Sequence, residues 1–307
     1  MPELPEVETV RRGLEKYVVG HKILDIEILH LKPFQGEKEK VLNSKIVSAR
    51  RIGKGLILGL ANGYSLAIHI KLTGQLVFRD SKTQSEPLSP KVGSLPNKYT
   101  HVIFHLSSLN TEPLGHSERS EESRDPSAMP QDDKRSAILY FNDMRRFGWI
   151  KVIKTDEISS LPFFKSMGPE PFKDLSLKIF IKLVSNSSTK IKPFIMDQTK
   201  IGGIGNIYAN DALFKAKIDP KRPAKSLNIK ETNELYDSII KVMEKSFEEG
   251  GASELSFVNI LGQEGNYQNH SLVYGKTGKK CPRDDGGIIK RISLGGRGTF
   301  FCDMCQR

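Results

Sequence analysis

The period of the apolar residues changes once along this chain, and that change constrains the fold more than any other feature. From Ile23 to about Ile153 apolar residues come in short β-branched runs, IVSARRIG, GLILGL, YSLAIHIKL, HVIFHL and AILYFND, separated by Gly, Asn or charged turns. Such runs predict an antiparallel sandwich or barrel. After a Pro-containing connector over 154–175, the spacing turns helical in LSLKIFIKLV, NDALFKAK and ETNELYDSIIKVMEKSF. One layer cannot serve both periods, so an α+β, multidomain chain is expected. Its first domain, 2–153, opens with an amphipathic helix carrying Val7, Val10, Leu14 and Val18 at spacings of three and four. Its second, 154–249, is helical. Gly250 and Gly251 end the last helix, and 250–307 is a Gly-rich stretch closing in a cysteine-bearing hairpin. The run 111–136, TEPLGHSERSEESRDPSAMPQDDKRS, holds too few apolar residues to build a core and interrupts a hairpin, which predicts a disordered surface insertion.

Charge narrows the partner. Lys and Arg number 47 against 36 acidic residues, a net +11, which favours a polyanion. No apolar run approaches the roughly 20 residues that span a bilayer. The start, MPELPEVETV, is acidic rather than signal-like, so a cytoplasmic, monomeric protein without membrane contact is expected. The 3 cysteines, Cys281, Cys302 and Cys305, are too few and too clustered for a disulfide framework and point to metal.

Four motifs carry chemistry. Pro2 follows a removable initiator Met, whose loss leaves a secondary amine of pKa about 8, partly uncharged at neutral pH and able to form an iminium. Glu3 stands beside it for acid–base work, with Glu6 one helical turn on. The same PELPE also suits an ordinary helix start. ARRIGKG sets Lys54 among glycines at a flexible hairpin tip, where it reaches a substrate or is simply solvated. NDMRRFGW places Arg145, Arg146 and Phe147 after a strand, as guanidiniums for phosphate and a ring to wedge between bases, or as a cationic strand end with a core Phe. In IGGIGNIYANDALF, a Gly-rich turn runs into a helix, so its amides and Asn206 can hold a phosphate. A dinucleotide fold is excluded there, since no buried parallel strand precedes the glycines and no acidic residue follows at βαβ distance. In the C-terminal hairpin, Cys302 and Cys305 form one knuckle and Cys281 begins another, with Asp284 or Asp285 to complete a zinc tetrahedron. Asp284 keeps the CxxC-like spacing and is preferred. Arg297, in GGRGT, sits on a tight glycine turn free to enter a cleft.

These segments together resemble the formamidopyrimidine-DNA glycosylase family over nearly the whole chain. PELPEVETVRRGLE, RRIGKG, HIKLTGQL, MRRFG, MGPEPF, IKPFIMDQ, GGIGNIYANDALF, LVYGKTGKKC and GGRGTFFCDMCQ stand in the family's order. The resemblance implies an N-terminal β-sandwich flanked by helices, a helix-two-turn-helix domain, and a zinc-finger hairpin with one structural Zn2+. It implies damaged duplex DNA between the domains, and base-excision repair of oxidised purines by a glycosylase and abasic-site lyase. By matched position, Pro2 is the Schiff-base nucleophile, Glu3 the proton donor in base removal, Lys54 the donor in β-elimination and Arg297 the residue of δ-elimination. Leu72, Arg145 and Phe147 fill the gap left by a flipped nucleotide; Arg146 and Asn206 contact phosphate, and Lys192 lies near the DNA or lesion. The stretch from Gly250 resembles a mobile loop that closes over the damaged base.

The chain departs from the family in four places. The second zinc cysteine is missing, with Asp284 or Asp285 there, the latter keeping the family's distance to Cys302. Leu72 replaces the intercalating Met, Tyr99 a DNA-contacting His, and Ser187 or Ser188 a basic phosphate-binding residue. Two other readings stay open: an endonuclease VIII type acting on oxidised pyrimidines, and a catalytically silent DNA-binding protein.

Overall fold

A computed structural model of the chain describes residues 1–108 and 137–307. The expected insertion at 111–136 lies outside the described residues. Helix α1 (Leu4–Tyr17) leads into nine strands: β1 (Ile23–Ile28), β2 (Phe34–Gln35), β3 (Ile46–Ile52), β4 (Gly55–Leu60), β5 (Tyr64–His69), β6 (Gly74–Arg79), β7 (Thr100–Leu106), β8 (Ala137–Asp143) and β9 (Trp149–Lys154). They form two sheets, ordered β1-β7-β8-β6 and β2-β9-β5-β4-β3. The pairing is antiparallel as expected, except that the two-residue edge strand β2 runs parallel to β9. Ile26, Leu58, Leu66, Phe104 and Phe141 interdigitate between the sheets, and Val7, Val10 and Leu14 of α1 close the same core.

Beyond the sandwich come α2 (Pro162–Lys165), whose Phe164 packs with Ile57, Ala67 and Ile153 of the sandwich, then α3 (Leu177–Ser185), α4 (Ile191–Met196), α5 (Asn206–Lys215), α6 (Ile229–Glu248) and α7 (Tyr267–His270). Helix α6 starts on a reciprocal cap: Asn228 Oδ1 accepts from Glu231 N at 2.9 Å, and a Glu231 carboxylate oxygen accepts from Asn228 N at 2.8 Å. Its apolar face, Leu235, Ile239, Val242 and Met243, packs with Phe180, Phe194 and Tyr208 in a second core. Strands β10 (Ile289–Leu294) and β11 (Arg297–Cys302) form the C-terminal hairpin. Among the described residues, no helix is long and apolar enough to cross a membrane.

Two segments sew the domains together. Leu4, fully buried, belongs to the second core although the rest of α1 belongs to the first, and its burial contributes about 1.5–3 kcal/mol. In return Phe257, Ile260 and Leu261, beyond α6, insert into the sandwich core. Ile260 sits so close to α1 that a Cβ at Gly13 would lie 2.3 Å from its Cγ2. The expected loop after Gly250 is therefore a packed crossover. It escaped the apolar pattern because it has neither a helical nor a strand period.

Candidate active site

The chain terminus is led into the second domain by its own backbone. Leu4 N donates to Gly203 O at 3.0 Å, and Glu3 N donates to Glu6 Oε2 at 2.7 Å. Glu6 is fixed in turn by Ala252 N at 2.8 Å and by the Tyr208 hydroxyl. Glu3 Oε1 accepts from Ile207 N at 2.9 Å, in the first turn of α5, so the helix N-terminus receives a carboxyl group. Gly205 makes that approach possible: a Cβ there would lie 2.3 Å from Glu3 Cδ. The other Glu3 oxygen, Oε2, is buried with no partner among the described residues.

Lys54 completes the centre, though differently from expectation. The β3–β4 turn is a buried one, and Lys54 is only 4% exposed. Its Nζ donates to Ile204 O at 2.9 Å. The turn is held by Glu170 of the MGPEPF segment, whose carboxylate accepts from Gly53 N at 3.1 Å and pairs with Arg51. Met167 packs on Gly53, which takes φ +55, a conformation that suits glycine.

Burial sets the protonation states here. It pushes Glu3 up to about 7, against the opposing pull of Lys54. It also raises Glu6 and lowers the Lys54 ammonium. The terminal amine, carried by Met1, is likewise pushed down by burial against the opposing pull of Glu3 and Glu6. A carboxyl poised near neutrality beside an amine with reduced proton affinity is an acid–nucleophile arrangement.

Met1, Glu3 and Lys54 line a cavity of about 450 Å³ together with Leu72, Asn206, Gln198, Glu254, Leu255, Tyr274 and Arg297. Arg297 enters from the hairpin across a two-residue turn, Gly295 (φ +58) and Gly296 (φ +71), whose successive positive φ angles only glycine adopts without strain. A larger groove of about 500 Å³, beside α6 and Phe172, contains none of these residues.

The expected wedge residues Arg145 and Phe147 lie on the turn after β8, where Arg145 N donates to Thr73 Oγ1 at 3.0 Å, next to the cavity-lining Leu72. Asp143 shapes their turn, its carboxylate accepting from Arg145 N at 3.1 Å and Gly148 N at 2.7 Å. Phe147 is 49% exposed, so the core alternative fails. The Arg145 guanidinium lies 4.9 Å over its ring. Arg146, exposed at φ +55, reaches His30 Nε2 at 3.4 Å. Tyr99 borders a small cleft with Thr73 and Met144, while Ser188 is exposed and Ser187 half-buried before α4.

Lys192, expected near the DNA or lesion, is fully buried behind the cavity-lining Asn206. Its Nζ donates to Asn206 Oδ1 at 2.7 Å, Thr299 Oγ1 at 2.9 Å and Gly298 O at 3.0 Å, and burial lowers it to about 8. It ties Asn206 to the strand that carries Arg297. One expectation needs correction, and it concerns the metal. Asp284, exposed at φ +51, turns the chain so that Asp285 points at the cysteines.

The ligand atoms of Cys281, Asp285, Cys302 and Cys305 lie within 4.8 Å of one another. Cys281 Sγ and Cys305 Sγ are 3.9 Å apart, against about 3.8 Å between thiolates at roughly 2.3 Å from a tetrahedral zinc. Asp285 Oδ2 is 3.2 Å from Cys281 Sγ and 3.4 Å from Cys302 Sγ. The Gly287 amide holds the Asp285 carboxyl down at about 2, so it is an anionic donor. Three sulfurs and one carboxylate fit a structural Zn2+, which would brace the hairpin.

His69 was not singled out from sequence. It is 3% exposed, packs at 4.7 Å on Phe163, and burial lowers it to about 3, so it is a neutral ring behind the Leu72 turn. Its place in HIKLTG was the available signal. Gln198, which accepts from Gly203 N at 2.9 Å and donates to Ile204 O at 2.7 Å, carried none beyond its place in IKPFIMDQ.

A sandwich and a helical domain sharing a buried chain terminus, closed by a cysteine hairpin, define a two-domain protein with a zinc finger. Sequence models match in three places: the formamidopyrimidine-DNA glycosylase N-terminal domain over 1–150, the formamidopyrimidine-DNA glycosylase H2TH domain over 167–257, and the zinc finger found in FPG and IleRS over 278–307. The formamidopyrimidine-DNA glycosylases of Pelotomaculum thermopropionicum and Lactiplantibacillus plantarum are each 36% identical, covering 100% of this chain and 99% and 100% of theirs. A Lactococcus lactis Fpg variant bound to Fapy-dG-containing DNA superposes with a TM-score of 0.80 at 32% identity, covering 100% of both chains. The Lactococcus lactis protein on abasic-site DNA gives 0.80 over 99% of both. The chain belongs to the formamidopyrimidine-DNA glycosylase family.

Proposed function

We propose that this protein excises oxidised purines, 8-oxoguanine and formamidopyrimidines, from duplex DNA and then cuts the strand, with the Pro2 amine as nucleophile once Met1 is removed. The observation that carries the reading is Glu3. It is a buried carboxyl near pKa 7, fixed through one oxygen by Ile207, with the other oxygen unpartnered beside the chain terminus. A silent DNA-binding protein has no use for such a group, whose burial costs stability. Homologues named for formamidopyrimidine excision favour purines over the pyrimidine-acting alternative.

The chemistry follows from the geometry. A stacked base is out of reach, so the nucleotide is everted at a cost of a few kcal/mol, offset by Leu72, Arg145 and Phe147 filling the vacated space. Arg146 and Asn206 hold flanking phosphates. The neutral Pro2 nitrogen attacks C1′ while Glu3 delivers its proton to the opening sugar, and the C1′–N bond to the damaged base breaks, the base leaving with the proton that the Pro2 nitrogen gives up. The iminium so formed acidifies the C2′ proton, whose loss expels the 3′ phosphate; Lys54 serves this step as proton donor. A second elimination, assigned to Arg297, releases the 5′ phosphate and leaves a one-nucleotide gap. With chromosomal DNA as substrate and bacterial relatives, the proposed place of action is the cytoplasm.

Borohydride trapping on abasic-site DNA tests the assignment. The protein lacking Met1 is expected to become covalently fixed to DNA, whereas preparations retaining Met1, or carrying Pro2→Gly, bind but do not trap. Trapping by protein shown by mass spectrometry to retain Met1 would remove Pro2 from its role.

A further inference from the structure

The crossover that follows α6 reaches the cavity at one short tip. Its neck is pinched shut by glycine: Tyr267 N donates to Gly251 O at 3.0 Å, and a Cβ at Gly265 would lie 2.3 Å from that same oxygen. Beyond the neck, Ser253 is tied internally, its Oγ donating to Phe257 O at 2.8 Å and accepting from Gly265 N at 2.9 Å. Ser256 Oγ donates to Leu72 O at 3.3 Å. Between these anchors lie Glu254 and Leu255, both lining the cavity, with Leu255 61% exposed.

What holds the tip comes from the sandwich domain. The β6–β7 connection lies along the crossover, with Ser89 N donating to Gly262 O at 2.9 Å and Leu88 packed over Gly262. Lys91 Nζ pairs with Glu264 Oε2 at 2.7 Å and donates to Ser253 O. The buried Gln75 amide donates to both Lys91 O at 3.1 Å and Ser256 O at 2.7 Å. So Lys91 seizes one side of the tip and Gln75 the other, while Val77, Val92 and Val258 bury the contact beneath them.

We propose that Lys91 and Gln75 are positioning residues that hold Glu254 and Leu255 as a fixed lip over the cavity, so that removal of a base depends on them and processing of a base-free sugar does not. This rests on reading the cavity as the site of the everted base. An abasic site presents nothing for the lip to touch, which separates the two reactions on one protein. The clasp is a charge-assisted contact between two elements far apart in sequence, so its loss loosens the lip without opening either core.

The test is Lys91→Met, with Lys91→Arg as the conservative control, assayed on duplexes carrying a formamidopyrimidine lesion and on abasic-site DNA. The expected result for Lys91→Met is about a tenfold loss in kcat for base excision, the scale of one charge-assisted hydrogen bond. KM and abasic-site trapping are expected to be unchanged, and amide hydrogen exchange over 252–258 faster. Lys91→Arg should restore excision, and Glu264→Gln, which removes only the ion pair, should give a smaller loss of the same kind. Equal losses on lesion and abasic DNA would make the clasp a general structural support and overturn the proposal, as would full excision by Lys91→Met. Failure of the unaltered, Met1-free protein to trap on abasic DNA would instead strike the proposed function itself.

Discussion

The floor of the cavity and the exposed turn at its rim solve opposite problems. Glu3 and Lys54 are 2% and 4% exposed, whereas Phe147 and Met144 are 49% and 57% exposed. The floor uses burial to move protonation equilibria toward neutrality, and the cost falls on stability. The side chains of the rim turn stay in water, and only the backbone beneath them is fixed, by Asp143. The same distinction separates residues whose replacement should alter pH behaviour from those whose replacement should alter only reach.

Glu3→Gln should break the contrast most sharply. Excision is expected to fall by about 10²–10⁴-fold, the usual scale for a general acid. The variant should also be more stable than the parent at pH 8. The Glu3 carboxyl is raised from 4.5 to about 7 in the fold, so the native state binds a proton that the unfolded chain releases. Its contribution is present below about pH 4.5 and lost as pH rises through 7, while Gln stays neutral throughout. Urea titrations should show a gain on the order of 3 kcal/mol at pH 8 that vanishes toward pH 4. An equal gain at both pH values would mean the carboxyl is not protonated in the fold.

Phe147→Ala tests the rim. Base excision should drop by about tenfold, matching roughly 1–3 kcal/mol for an aromatic stacked on a base. Melting temperature should stay unchanged, since the ring packs on no core. A lowered melting temperature with normal excision would return Phe147 to a structural role.

The hairpin gives a smaller effect. Asp285→Ala should lower zinc content and weaken DNA binding several-fold, about 1 kcal/mol, because Arg297 rides on the braced hairpin, while Asp284→Ala should do neither. Metal analysis of the two purified variants beside the parent decides between the carboxylates. The smallest effect is expected for replacing 109–136 with a short turn: Leu106 and Ala137 are paired neighbours across β7 and β8, so excision and melting temperature should hold. A drop of many degrees would show that the segment contributes to packing.

What could be read from the sequence was chemistry that needs only a residue type and a place. Pro2 is a candidate nucleophile by being second in the chain, Glu3 is its neighbour, and three clustered cysteines speak for metal at any geometry. What could not be read was burial imposed from a distance. The glycines around Lys54 suggest a flexible tip, but Glu170 and Met167, more than a hundred positions later, bury that turn. Lys192 is charged, and nothing in IKPF tells of its burial between Asn206 and Thr299. Asp284 satisfies the spacing of a zinc knuckle, yet a positive φ aims its neighbour Asp285 at the sulfurs. Period two and period 3.6 identify surfaces that face one core, whereas the crossover with Phe257 and Ile260 threads between two.

The placement of Leu4 in the second core, with Glu3 against α5, bears on how the enzyme is made. Domains generally form as units while the chain emerges, but the sandwich core is closed by Phe257, Ile260 and Leu261, which lie beyond α6. Likewise Leu4, Glu3 and Glu6 find their partners at Gly203, Ile207 and Ala252 only after those residues have been synthesised. The first residues to leave the ribosome are thus among the last to be seated. A truncated translation product ending inside the helical domain would carry Pro2 on a loose end with no buried acid beside it, so the enzyme's ability to cut DNA comes into being only with a nearly finished chain.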